Sequence, residues 1–97
     1  MKTLENITSI IKEQKPLLRS RFNVKEIGVF GSFVRGEQGE TSDLDILVEL
    51  DKPIGIIEYV ALQNYLSDKT GKRVDLVLKS ALKPGASERI LREVVYV

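Results

Sequence analysis

The 97-residue chain contains no cysteine, no histidine and no tryptophan. Each absence removes a class of chemistry. Without Cys there is no disulfide framework, no thiol nucleophile and no iron–sulfur or Cys-type zinc site. Without His there is no Ser-His-Asp triad, no imidazole base and no ordinary zinc site. Catalysis is left to carboxylates, hydroxyls, amines, guanidinium groups, backbone amides and a hard metal ion held through oxygen. No apolar run approaches the roughly 20 residues that span a bilayer, so no membrane segment is expected. Met1-Lys2-Thr3-Leu4-Glu5 lacks the basic-then-apolar order of a signal peptide, and a cytoplasmic location is expected.

What is present is ordinary in amount and uneven in arrangement. Hydrophobic residues make up 42% and charged residues 30%, a globular composition. The length predicts one domain over residues 1–97, burying roughly 65% of the surface of the unfolded chain. Charges nearly cancel, with 15 basic against 14 acidic. Residues 1–35 carry seven basic and three acidic side chains, and residues 69–97 the same numbers. Residues 36–68 carry eight acidic and one basic, Lys52. An acidic middle is thus flanked by basic thirds, which either reflects ordinary solvated faces or gathers acids around a cation.

Leu4, Ile7, Ile10, Ile11, Leu17 and Leu18 recur mainly at helical spacing, predicting a helix over 3–20 capped by Thr3, with Pro16 kinking or ending its first part. Lys25–Phe30 reads as a strand, Ser32–Arg35 as a short helix and Gly36–Ser42 as a loop. Asp43–Leu50 reads as a strand that enters the core, and 56–67 as a helix with Ile56, Ile57, Val60, Ala61 and Leu66 on one side and Gly71 near its C-terminal cap. Arg73–Leu78 is a third strand, Lys83-Pro84-Gly85 a break, and about Ser87–Val95 a last helix. The predicted class is α/β (α+β), a small mixed sheet flanked by helices.

The informative segment is Gly31-Ser32-Phe33-Val34-Arg35-Gly36 followed by Ser42-Asp43-Leu44-Asp45-Ile46. Strand alternation puts Asp43 and Asp45 on one face, a few ångströms apart. Like charges that close repel unless a cation separates them, and oxygen-only donors favour Mg²⁺ over zinc. An isolated Asp-x-Asp is commonly just a wet strand end. Here Leu44, Ile46, Leu47 and Val48 place the pair at the mouth of a buried strand. A Gly-Ser turn before a helix lets backbone amides and a hydroxyl approach an oxyanion, although alone it is an ordinary turn. Arg35 is equally suited to phosphate or to structure. Asp75, in Arg73-Val74-Asp75-Leu76-Val77, completes a three-carboxylate cluster if its strand neighbours that of Asp45; otherwise it is an outward-facing strand residue. With no His, a carboxylate is the natural base.

Phe30-Gly31-Ser32, ten residues, Asp43-Leu44-Asp45-Ile46 and the later Asp75 together resemble the signature of the polymerase β nucleotidyltransferase superfamily. With Val74-Asp75-Leu76-Val77 and the tail Ile90-Leu91-Arg92-Glu93-Val94-Val95-Tyr96, nearly the whole chain is similar to the minimal nucleotidyltransferase (MNT) domain proteins. The resemblance implies a polymerase β-like core and an antitoxin that transfers AMP from ATP to a tyrosine of a HEPN-domain RNase toxin. It implies that Gly31 and Ser32 hold the triphosphate, that Asp43 and Asp45 bind two Mg²⁺ ions, that Asp75 is a further ligand or general base, and that Arg35 is auxiliary. A hetero-oligomer with the toxin is expected.

Three other readings are open to the same residues. A non-enzymatic antitoxin would use an apolar stripe such as Ile90, Leu91, Val94 and Val95, although most of these are expected to fold back onto the domain's own core. A small-molecule nucleotidyltransferase would modify a hydroxylated compound. A nucleic-acid binder would use Lys69, Lys72, Arg73, Lys79 and Lys83, but a net charge of +1 without clustered aromatics argues against direct nucleic-acid binding.

Overall fold

The computed structural model describes residues 3–97, which form four helices and four strands in the order α1 (Leu4–Phe22), β1 (Val24–Phe30), α2 (Ser32–Arg35), β2 (Leu44–Leu50), α3 (Ile56–Thr70), β3 (Val74–Leu78), α4 (Pro84–Glu93) and β4 (Val95–Tyr96). A single 3₁₀ turn, Lys79–Ala81, follows β3.

Helix α1 starts where Thr3 predicts. The Thr3 hydroxyl accepts from the Asn6 amide at 3.2 Å, and the Asn6 side chain accepts from the Thr3 amide at 3.3 Å. The helix runs through Pro16 and ends at Phe22 rather than near residue 20. Pro16 is on the exposed face, where the carbonyl it leaves without a donor can turn to water. Ile7, Ile11, Leu18 and Phe22 form its buried face, whereas Leu17 stands exposed.

The sheet order is β3-β2-β1-β4. β1 pairs antiparallel with β2 and β4, and β2 pairs parallel with β3. The parallel pair requires a crossover, which α3 supplies. Leu44, Ile46 and Val48 join Ile27, Val29, Val74 and Leu76 in a core covered by α1 and α3. Each fully buried aliphatic there contributes about 1.5–3 kcal/mol. Asp45, Leu47 and Glu49 alternate to the opposite face. At the outer edge of β3, the Tyr59 hydroxyl donates to the Leu76 carbonyl and Gln63 Oε1 accepts from the Leu76 amide at 3.3 Å. Those two side chains from α3 occupy main-chain groups that would otherwise invite another strand.

The C-terminal third and α3 depart from what the sequence pattern predicts. Helix α4 starts at Pro84, not Ser87, because a proline at the first helical position loses no hydrogen bond and has the right φ. It ends at Glu93, and Val95–Tyr96 form a fourth strand against Gly28 and Val29. Gly28 makes room for that turn: a Cβ there would lie 2.6 Å from Val94 Cγ2 and 3.0 Å from the Val95 carbonyl. The tail is further fixed by Val97 donating its amide to Ile27 at 2.9 Å, and by Lys15 Nζ donating to the Val97 carbonyl at 2.8 Å.

Finally, α3 buries Leu62, Leu66 and Thr70 and extends to Gly71, which caps it in the left-handed region at φ +69°. Ile56, Ile57 and Val60, expected with the inward side, are 76%, 78% and 46% exposed. Nor does the last helix present a continuous apolar stripe, since Ile90 is buried and Val94 half-buried while Leu91 and Val95 are exposed. No described helix is long and apolar enough to cross a membrane.

Candidate nucleotidyl-transfer site

Strand β1 stops at Phe30, and Gly31 turns the chain with φ +83° and ψ −153°, a conformation open to glycine and strained for other residues. The turn lies flush against a carboxylate. A Cβ on Gly31 would sit 2.0 Å from Asp45 Oδ2. Ser32 then opens α2, whose first amides have no intrahelical acceptor, and Gly36 ends it in the left-handed region. Phe33 is buried in the main core and anchors this short helix.

The carboxylates come together as alternation and pairing require. Asp43 immediately precedes β2, Asp45 is its second residue, and Asp45 stands directly beside Asp75 in the parallel register of β2 and β3. Neighbouring strands are about 4.8 Å apart and in-register residues share a face. Asp75 therefore adjoins Asp45 across the sheet, and Asp43 lies on the same side two residues earlier. Asp45 is the half-buried member; Asp43 and Asp75 are exposed.

Electrostatics record the crowding. Burial, then the charges of Asp75 and Asp43, push the Asp45 carboxyl up to about 6, with Arg35 opposing. Asp43 leans toward Arg73, whose Nε lies 3.7 Å from Asp43 Oδ1. Among the described residues no three acidic groups converge into a finished metal cage. The donor set is nevertheless all oxygen and mutually repulsive, which fits a hard divalent cation that would draw the carboxylates together.

Arg35 is engaged with glutamates. Its Nε donates to Glu37 Oε1 at 2.8 Å and its Nη1 to Glu93 Oε1 at 2.7 Å. These bonds, Glu37 first, hold the guanidinium pKa above its ordinary value. The Gly31 amide also donates to Glu93 Oε1, at 2.5 Å. Glu93 was not among the sequence candidates. Its signal was local: a carboxylate in the last residue of a helix opposes the macrodipole, so it needs a partner from elsewhere in the fold. In the sequence Arg73 reads only as part of a basic surface, and its place beside Asp43 depends on the β2–β3 pairing.

The chain as a whole has relatives. A sequence model described as a nucleotidyltransferase domain matches residues 11–97. The chain belongs to that family. It is similar to protein adenylyltransferase MntA of Thermococcus cleftensis, with 54% identity over 97 residues, covering 100% of this chain and 98% of the relative. Among solved structures, a candidate minimal nucleotidyltransferase superposes with a TM-score of 0.80 at 34% identity, covering 97% of this chain and 95% of that one. A toxin–antitoxin complex with AMP-PNP gives a TM-score of 0.75 at 27% identity, covering 94% and 71%. The complex of a tri-AMPylated HEPN toxin of Shewanella oneidensis with an MNT antitoxin shares the fold, with a TM-score of 0.68 at 20% identity over 93% and 70%. Membership makes the protein a nucleotidyltransferase, and the four-stranded mixed sheet with its helices is the minimal nucleotidyltransferase fold.

Proposed function

We propose that this nucleotidyltransferase transfers AMP from ATP to a tyrosine hydroxyl of a HEPN-family RNase toxin and thereby acts as its antitoxin, in a cytoplasmic hetero-oligomer. The observation that carries the reading is the register that sets Asp45 beside Asp75, with Asp43 at the strand mouth and the Gly31-Ser32 turn packed on Asp45. The acceptor oxygen attacks the α-phosphorus in line, the new phosphodiester O–P bond forms, the bond to the β-phosphate oxygen breaks, and pyrophosphate leaves. In this reading Asp75 takes the hydroxyl proton, and its exposure beside Asp45 supports that role. The Ser32 hydroxyl and the first amides of α2 are donors for the triphosphate. Asp43, Asp45 and Asp75 would hold two Mg²⁺ ions, which when bound neutralise charge and align the reacting oxygens.

Support for a protein acceptor comes from the surface. Ile56, Ile57 and Val60 are exposed together on the first turns of α3. Beside them a cleft of ≈ 460 Å³ is lined by Ile54, Ile56, Tyr59, Leu76, Leu78 and Ala81. Exposed aliphatics grouped this way favour association over solvation. The test is mass spectrometry of the toxin after co-expression, or after incubation with labelled ATP and Mg²⁺. AMP additions with wild type and none with Asp43→Asn are expected. Equal labelling by both, or labelling by neither, would overturn the reading. Neutralisation that survives Asp43→Asn/Asp45→Asn would support an antitoxin acting by binding alone.

A further inference from the structure

Glu93 has no part in the transfer chemistry proposed above, yet its carboxylate touches the turn on which that chemistry depends. It ends α4, where backbone carbonyls carry partial negative charge and a basic residue would be favoured. Its side chain is only 17% exposed. A carboxylate in that position is tolerated when strong donors face it. One oxygen, Oε1, has two: the Gly31 amide at 2.5 Å and Arg35 Nη1 at 2.7 Å. Both are charge-assisted bonds, the short and strong kind. Both also reach far along the chain, joining the C-terminal helix to the turn after β1.

The turn passes this constraint to the carboxylates. Gly31 sits at φ +83° with its Cα against Asp45, where even a methyl group would meet Oδ2 at 2.0 Å. Whatever fixes the Gly31 peptide therefore fixes the offset between Ser32, the next residue, and Asp45. The Gly31 amide is also occupied, and the Val34 and Arg35 amides donate to the Gly31 carbonyl at 3.0 and 3.2 Å, which leaves Ser32 and Phe33 as the phosphate donors. Arg35 is held from two sides, by Glu37 at 2.8 Å and by Glu93, so its guanidinium is a clamp on these glutamates.

We propose that Glu93 is a positioning residue for nucleotidyl transfer: by accepting from the Gly31 amide and Arg35 it sets the Gly31-Ser32 turn against Asp45. This rests on the transfer reading, because the position it sets matters only if Ser32 and Asp45 act on one nucleotide. Reach is what the role requires. Glu93→Gln keeps an acceptor at the same distance from Gly31. Glu93→Asp keeps the charge but falls one methylene short.

The experiment measures kcat and KM for ATP in AMP transfer to the partner protein, together with the amide proton shift of Gly31 in each nucleotide-free variant. Thermal melting confirms that each is folded. Glu93→Asp is expected to lower kcat by about 10- to 100-fold, the cost of a misplacement near 1 Å, with KM little changed. Its Gly31 amide proton moves upfield as the short bond is lost. Glu93→Gln is expected to keep kcat within about threefold of wild type, since its hydrogen bond retains the geometry. A side chain that only stabilised α4 would instead change melting without splitting the two variants in kcat. Wild-type kcat in folded Glu93→Asp, an unmoved Gly31 amide, or a rise in KM at constant kcat overturns the assignment. Wild-type protein that transfers nothing overturns the transfer reading itself, and the Gly31 shift then still decides whether the Glu93 contact exists.

Discussion

Replacing Asp45 by Asn should abolish transfer and, without metal, make the protein more stable. In the native state burial and the charges of Asp75 and Asp43 raise the Asp45 carboxyl from 3.8 to about 6. Its folded pKa lies above its unfolded pKa, so its contribution to stability is fully present below about pH 4 and is lost as pH rises through about 6. Above that range the ionised carboxylate is easier to hold in the unfolded chain than beside its two neighbours. At about 1.36 kcal/mol per pH unit, the upper limit of the penalty is about 3 kcal/mol. Asp45 is half-buried, so solvent screening reduces this to about 1–2 kcal/mol. Asn keeps the shape of the neutral acid and carries no charge. At pH 7.5 in a chelator, Asp45→Asn should melt higher than wild type by about 5–15 °C for a chain near 100 residues. At pH 4 the two should melt nearly together. Excess Mg²⁺ should raise the wild-type melting temperature and leave the variant little changed. A variant that melts at or below wild type at pH 7.5, or a difference of equal size at pH 4, would refute the claim that these carboxylates repel one another in the native fold.

The other expectations concern that site and the fold that carries it. Gly31→Ala places a methyl 2.0 Å from Asp45 Oδ2 in a left-handed backbone, so it should cost about 1–3 kcal/mol in chemical denaturation and remove AMP transfer. Leu62→Ala, fully buried where α3 covers the sheet, should cost about 2–5 kcal/mol by urea titration. In Tyr59→Phe the Leu76 carbonyl loses its side-chain donor, which should cost about 1 kcal/mol and leave kcat unchanged. Thr3→Ala should lower stability by about 1 kcal/mol through the lost helix cap, measured by the same titration.

Elements built on strong local signals were legible in the sequence. The cap at Thr3, the buried spacing of Ile7, Ile11 and Leu18, the left-handed Gly71 and the alternation through Asp43-Leu44-Asp45 all depend on neighbouring residues. What escaped depends on residues remote in sequence. Ile90 to Val95 continues helical spacing, and only the vacancy at Gly28 lets Val94 and Val95 turn onto the sheet edge. Likewise, the spacing of Ile56, Ile57 and Val60 specifies a helix but not which side of it meets the core. The faces were decided by Leu62 and Leu66, which reach the sheet and leave the first turn exposed. The placement of Asp75 beside Asp45 depends on β2 pairing with β3, strands separated by the whole of α3, which no local pattern states.

Several of the chain's broken local rules meet in one corner of the fold. Asp45 and Asp75 sit in strands, which disfavour Asp. Gly31 takes a backbone angle that favours glycine, and Glu93 puts negative charge at a helix C-terminus. Taken singly, each has a bland explanation and would be a modest loss of stability. Together they form a continuous chain of contacts: Glu93 to the Gly31 amide, Gly31 to the Asp45 carboxyl, and Asp45 to Asp75 across the strand pair. A sequence selected for stability alone has no reason to place these unfavourable choices side by side, because the repulsion at Asp45 grows with each acid brought near it. Their coincidence is what a site assembled for a polyanionic substrate and a divalent cation would require.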